Sequence, residues 1–425
     1  MNEALQRAIQ LEPEDSQVID CVRSESWEYA DADTQHLTHN IHRYSGKFIP
    51  QIARRAISLL TAAGEFVVDP YCGSGTTLVE SALLGRKALG IDLSPLATLI
   101  ARTKVTPVSS EDLSSLQQEL AFALAPLNSD EEMPLFSESL RSAANNFHLQ
   151  DKQFSDDEWF RKWFQPKILN ELVAINRAIC EIKDIRKQDI AKVAFSDILR
   201  KSSNAHSGYP NVMFDKNVPE RSSPVKPFLR ALIRVCEMVA SLERTNARWQ
   251  DVRVQQGCAT AFPLDDCSVD AIVSHPPYIG SIPYAEYGAL SLKWLGADPK
   301  RLDRELTGGR RQSPKVVERF QEGYSRMLTE ASRVLRSGRH IFLMVGNPVV
   351  RGKTVDLATM TIDMAERAGL DLVVRTERVG INRRANKMGA EHLLFFRKTA
   401  RDVRSSSRSE RSQARPESSQ VRAPQ

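Results

Sequence analysis

None of the six cysteines (Cys21, Cys72, Cys180, Cys236, Cys258, Cys267) forms a CxxC pair, and no His/Cys cluster has zinc-ligand spacing. That scatter argues against a disulfide framework or a structural metal and fits a reduced, cytoplasmic chain. A signal-like amino terminus is missing, as is any apolar run of about 20 residues, so neither secretion nor a membrane span is expected. The chain also lacks an internal repeat, a GxxxxGK[ST] phosphate loop and a GxGxxG turn. What it has is 425 residues, 41% of them hydrophobic, enough to bury a full core as one large domain with an insertion, or as two domains. Its net charge of +5 and pI near 8.8 are compatible with a polyanionic partner without requiring one.

Residues 1–40 are polar and weakly patterned and read as an amino-terminal extension. From Phe48 the texture changes. Pro50 can open a helix, and Ile52, Ala56, Ile57, Leu59 and Leu60 give it one apolar face. Phe66-Val67-Val68 then reads as a strand, Thr76 to Leu84 as a helix stopped by Gly85, Ala88 to Ile91 as a strand, and Pro95 to Ala101 as the start of another helix. This alternation predicts a βαβ unit and a parallel sheet. It disappears between residues 111 and 250, where Ile168, Leu172, Ile175, Ile179 and Ile182 form a helical stripe and Lys201 to Lys226 is a polar, basic loop. It resumes with Val252 to Val254, Ala271 to Val273, a helix from Val316, the strand His340 to Val345, a helix over Thr354 to Ala368, and two closing strands. The last 25 residues, rich in Arg and Ser, read as a disordered tail.

DPYCGSGTT, residues 69–77, sits at the first strand-to-helix junction. Gly73 and Gly75 allow positive φ and close approach of a ligand to the free N–H groups of the helix start. Asp92 ends the next strand, where a carboxylate can accept from ribose hydroxyls, so the pair describes a nucleoside-containing cofactor. A second junction is AIVSHPPY, residues 271–278: Pro276 and Pro277 stop the strand because neither donates an N–H, leaving stiff backbone carbonyls beside Tyr278. Such an edge suits a planar group carrying an amine.

DPYCGSGTTLVESALLGRKALGID resembles the first two cofactor motifs of the S-adenosylmethionine-dependent amino-methyltransferases, and SHPPY resembles their [S/D/N]PP[Y/F] catalytic element. HRYSGKFIP, residues 42–50, is similar to the segment preceding the cofactor turn in the DNA N4-cytosine/N6-adenine methyltransferases. EASRVLRSGRHIFLMVGN and GAEHLLFFRK are similar to that family's closing strands. The resemblance covers about residues 45–107 and 251–398. It implies an α/β, Rossmann-like class I methyltransferase fold with a mostly parallel seven-stranded sheet and a largely helical insertion. The expected organisation is an extension (1–40), the cofactor-binding half (41–110), a helical insertion for target recognition (111–250), the catalytic half (251–400) and a tail (401–425).

By the same resemblance the cofactor site comprises Lys47, Phe48, Asp69, Tyr71, Gly73, Gly75, Thr76, Thr77 and Asp92, and the catalytic element comprises His275, Pro276, Pro277 and Tyr278, with no metal. Residue 275 and the Pro276 carbonyl would accept from the amine of a flipped DNA base, with Tyr278 stacking on it. Arg301, Arg304, Arg310 and Arg311 are the expected DNA contacts, and a restriction endonuclease is the partner such an enzyme would have. Two departures stand out. Cys258 occupies the place of an acidic adenine-binding residue, which turns attention to backbone groups or to Asp265 and Asp266. His275 replaces Ser, Asp or Asn; it accepts only when neutral, which predicts an acid fall-off through its unperturbed pKa of about 6.5. Being a non-carboxylate acceptor, it favours cytosine N4 over adenine N6. An RNA guanine-N2 methyltransferase, with its similar glycine turn, and an inactive cofactor- and DNA-binding homologue remain open.

Overall fold

The computed structural model describes residues 13–128, 154, 156–206, 208, 211–280, 282–308, 315–350, 352–379 and 390–399. Seven strands form the main sheet: β1 (Phe66–Asp69), β2 (Lys87–Asp92), β3 (Val252–Gln256), β4 (Val269–Ser274), β5 (Leu335–Gly346), β6 (Leu370–Arg378) and β7 (Glu391–Lys398). Their order is β3-β2-β1-β4-β5-β7-β6. Strands β3 to β5 pair in parallel, and β7 runs antiparallel to both of its neighbours. This is the Rossmann-like class I methyltransferase sheet that the resemblance implies. The chain steps outward from β1 to β2 and β3, then returns to the other side of β1 as β4, which opens a crevice at the carboxyl ends of β1 and β4.

The alternation along each strand explains the two layers. Val67, Ala271, Val273, Phe342 and Phe395 point to one face, together with residues of helices α1 (Pro13–Ser24) and α2 (Pro50–Leu60). Val68, Ile272, Ile341, Leu343 and Phe396 point to the other, under α9 (Val316–Val334) and α10 (Leu357–Arg367). α10 starts later than the pattern suggests, because Asp356 caps it and Lys353–Thr354 pairs instead with Val349–Val350 in a short hairpin.

Residues 13–27 are not peripheral. Val18, Val22 and Trp27 bury into the first layer, with Trp27 against Phe342 and Phe395, and Asp15 bonds His340 and Arg397. Polar spacing hid this helix, since only one narrow stripe of it is apolar. Helices α3 (Thr76–Leu83) and α4 (Pro95–Val105) follow β1 and β2. Between α4 and β3 lie α5 (Ser110–Asn128), α6 (Pro166–Glu181), α7 (Ile185–Ser202) and α8 (Val225–Ala240). These helices share one hydrophobic cluster with Leu96, Leu99 and Ile100 of α4, so the inserted segment is built directly onto the cofactor-side helix. No helix among the described residues is long and apolar enough to cross a membrane.

Candidate active site

The crevice is assembled from the ends of β1, β2 and β4. Asp69 is buried where β1 stops, and its carboxylate accepts from the Ser274 hydroxyl at the end of β4 (2.6 Å), the Thr77 hydroxyl of α3 (2.6 Å) and the Tyr71 N–H (3.1 Å). Burial pushes its pKa up to about 6 against those three bonds. Asp69 therefore locks the glycine turn to the catalytic strand from behind. Thr77→Val, which keeps shape but removes one charge-assisted bond, should lower stability by about 1.5 kcal/mol, read as a shifted denaturant midpoint with an unchanged slope.

Beyond Asp69 the turn folds back on β2: the Cys72 N–H donates to the Ile91 carbonyl (3.0 Å) and the Gly73 N–H to Asp92 Oδ2 (2.9 Å). Gly73 and Gly75 both have positive φ, 49° and 82°. A Cβ on Gly75 would lie 2.9 Å from the Ala101 Cβ, so glycine there lets the turn meet α4. The other oxygen of Asp92 accepts from the Ser94 N–H (2.9 Å), and burial raises its pKa to about 6.

A cavity of about 820 Å³, its open mouth included, lies in front of these residues. Tyr71, Gly73, Asp92 and Ser94 form its floor, Cys258 and Ala259 one side, and His275 and Pro277 the other. Tyr44, Gly46 and Tyr284 close over it, the two rings stacked with centroids 6.0 Å apart. Asp303, Glu305 and Thr307 sit at the rim, and the Tyr71 hydroxyl donates to Thr307 (3.3 Å). No Lys or Arg lines it among the described residues, while three carboxylates do. That donor set does not suit a phosphate and does suit a ribose diol and a cationic centre.

Of the residues expected from the sequence, Tyr71, Gly73, Asp92, His275 and Pro277 thus line the cavity. Asp69, Gly75, Thr76 and Thr77 support it from behind, and Pro276 is buried. Lys47 turns away and donates to the His39 carbonyl (2.9 Å), and Phe48 packs between His275 and Phe342. Tyr278 is 6% exposed and is not a wall of the cavity: its ring lies on Gly346, and its hydroxyl is 2.7 Å from His275 Nε2. Asp266 pairs with Arg333 (2.7 Å), and neither it nor Asp265 reaches the cavity. Arg301 and Arg304 are exposed on the 299–305 helix, whose Asp303 and Glu305 line the rim; Arg301 pairs with Glu305 (2.9 Å). Arg310 and Arg311, like the 401–425 tail, fall outside the described residues.

Sequence reasoning missed how the closing strap is held. Glu80, fully buried in α3, faces His39 Nε2 (2.8 Å), His36 Nε2 (3.2 Å) and Arg54 Nη1 (3.3 Å). These contacts pin residues 36–39 to α3 and so carry Tyr44 and Gly46 over the glycine turn. Burial holds His39 at a pKa of about 4. His275 is likewise lowered to about 4, first by burial and then by the nearby Arg378 charge, so its ring is neutral at physiological pH.

A family model described as DNA methylase matches residues 5–102. The type II methyltransferase M.MjaII of Methanocaldococcus jannaschii is 25% identical in an alignment covering 82% of this chain and 78% of that one. The type II methyltransferase M.MvaI of Kocuria varians is 24% identical over 68% of this chain and 65% of its own length. Over most of its length the chain is thus similar to type II DNA methyltransferases. A tRNA (guanine(10)-N2)-dimethyltransferase of M. jannaschii is 36% identical over a shorter stretch, 16% of this chain and 18% of that protein. S-adenosylmethionine is the cofactor that this resemblance implies. The cavity's lining is compatible with that molecule: it presents the Asp92 carboxylate, glycine-turn backbone, the Tyr44 and Tyr284 rings and, among the described residues, no Lys or Arg.

Proposed function

We propose that this methyltransferase methylates the exocyclic amine of a flipped DNA base, cytosine N4. The observation that carries the reading is a neutral, buried His275 at the end of β4, on the same cavity as Gly73 and Asp92. When bound, S-adenosylmethionine supplies an electrophilic sulfonium methyl group. Asp92 accepts from the ribose hydroxyls and the glycine turn fits the backbone against the cofactor. An exocyclic amine is a poor nucleophile because its lone pair is delocalised into the ring. The His275 imidazole and the Pro276 carbonyl accept from its N–H groups, which draws the nitrogen toward tetrahedral geometry. Positioning and fixed dipoles carry the rate enhancement, and the chain provides no covalent intermediate. The stiffness of Pro276-Pro277 keeps those acceptors in place.

A base within a duplex is out of reach of this enclosed site, so extrusion accompanies binding. The exposed Arg301 and Arg304, on the helix whose Asp303 and Glu305 line the cavity, are the side chains assigned to the DNA phosphates, with Arg310 and Arg311 following them in sequence, and the 111–250 segment is assigned target reading. Cytosine is favoured because the acceptor is not a carboxylate. The two long type II alignments support DNA over RNA. Expression in a host free of amino-methylated DNA, followed by mass spectrometry of DNA and RNA nucleosides, should reveal N4-methylcytosine in DNA. N6-methyladenine would move the target to adenine, and methylated guanine confined to RNA would overturn the DNA reading.

A further inference from the structure

His275 belongs to a chain of hydrogen bonds that leads away from the cavity. Its Nε2 meets the Tyr278 hydroxyl (2.7 Å), which donates to Glu391 Oε1 at the start of β7 (3.3 Å). Arg378 at the end of β6 donates to Glu391 Oε2 (3.0 Å) and to the Glu28 carbonyl (3.2 Å). The members are buried or nearly so: Arg378 and Glu391 side chains are 4% and 16% exposed. A Cβ on Gly346 would stand 2.9 Å from the Tyr278 ring, so glycine is what lets that ring reach its place. The other nitrogen of His275, Nδ1, is closed off from solvent and has no partner.

The direction of each bond follows from the groups involved. Arginine has only donors and a carboxylate only acceptors, so Arg378 donates to Glu391 and leaves Oε1 requiring a hydrogen. Tyr278 supplies it. The tyrosine oxygen is then free to accept, and the adjoining Nε2 must carry the imidazole proton. We propose that Arg378, Glu391 and Tyr278 form a positioning relay that fixes His275 as the Nε2–H tautomer, which makes Nδ1 the ring's one acceptor nitrogen. The proposal rests on the amine-transfer reading and adds to it why histidine can stand where Ser, Asp or Asn is usual. A histidine has one acceptor nitrogen, and its identity is set by what the other nitrogen touches. Tyr278 thus works through its hydroxyl and its seat on Gly346, without offering a stacking face.

The direct readout is nitrogen NMR of the full-length protein carrying 15N-labelled histidine, with the His275 signals assigned by their loss in His275→Asn. The relay predicts a protonated Nε2 and an unprotonated Nδ1 in the unmodified protein, and loss of that preference in Tyr278→Phe. Glu391→Gln should reduce kcat roughly 10- to 100-fold with the cofactor Kd unchanged, an effect typical of losing one oriented polar group. In the His275→Asn background, where no tautomer has to be set, the same Glu391→Gln change should cost less than about threefold. A protonated Nδ1 in the unmodified protein, or an equal Glu391→Gln loss in both backgrounds, overturns the relay. Full activity in His275→Phe beside an intact Nε2–H tautomer would leave the relay standing and sink the amine-acceptor reading instead.

Discussion

His275→Phe should lose methyl transfer by about 10²- to 10³-fold, the loss expected when a single preorganised hydrogen-bond partner is removed from a reacting centre. Phenylalanine keeps the ring that packs against Phe48 at 5.5 Å, so the cavity keeps its shape and cofactor affinity should hold. The acceptor disappears, together with the Nε2 bond to the Tyr278 hydroxyl. His275→Ser restores an acceptor and should retain measurable turnover. The pH profile is equally specific. Protonation converts the imidazole from acceptor to donor, so activity is present above the His275 pKa and lost below it. Burial and the Arg378 charge hold that pKa at about 4. The acid limb expected from an ordinary histidine, near 6.5, is therefore displaced: kcat should stay level through pH 6.5 and fall only toward pH 4. A kcat limb centred at 6.5 in the unmodified enzyme, absent in His275→Ser, would contradict the buried, neutral ring.

Asp92→Ala should weaken S-adenosylmethionine binding roughly 100-fold, about 2.7 kcal/mol. Two losses combine: the ribose hydroxyls lose their acceptor, and the Gly73 and Ser94 N–H groups, now bonded at 2.9 Å each, lose theirs. Asp92→Asn keeps one acceptor oxygen and should fall between Ala and the original residue. The charge matters through pH as well. With its pKa raised to about 6 by burial, Asp92 is ionised above that value and protonated below it. Calorimetric affinity should be constant from pH 8 to about 6.5 and decline below 6, where kcat still holds. The two limbs separate the roles, binding at about 6 and turnover at about 4. Unchanged affinity in a folded Asp92→Ala protein would remove Asp92 from the cofactor site.

What could be read from the sequence was whatever is local. The glycine turn after Phe66-Val67-Val68, Asp92 ending β2 and the double proline ending β4 each announce themselves within a few residues, and parallel-strand topology then puts them at one edge. What escaped depends on pairings across long stretches of chain. Glu80 with His36 and His39, Asp15 with His340, and Tyr278 with Glu391 join segments whose separate patterns are unremarked. Tyr278 shows the difference most clearly. A tyrosine beyond two prolines reads as an open stacking surface, yet Gly346 on β5 leaves a gap that its ring fills, and the hydroxyl is consumed by His275 and Glu391. Tyr44 and Tyr284 instead supply the aromatic cover, from segments 240 residues apart whose meeting no local pattern signals.

The central claim is direct transfer to an exocyclic nitrogen with no adduct between base and protein. Its most direct measurement is a single-turnover reaction of the purified protein with DNA and methyl-labelled S-adenosylmethionine, in which the labelled nucleoside is isolated and the methylated atom identified by fragmentation. Label on the exocyclic nitrogen, with an early time course free of protein–DNA covalent complex and a reaction slowed at least 100-fold in His275→Phe by the reasoning above, is the predicted result. Label on a ring carbon, or a covalent complex preceding product, would contradict it.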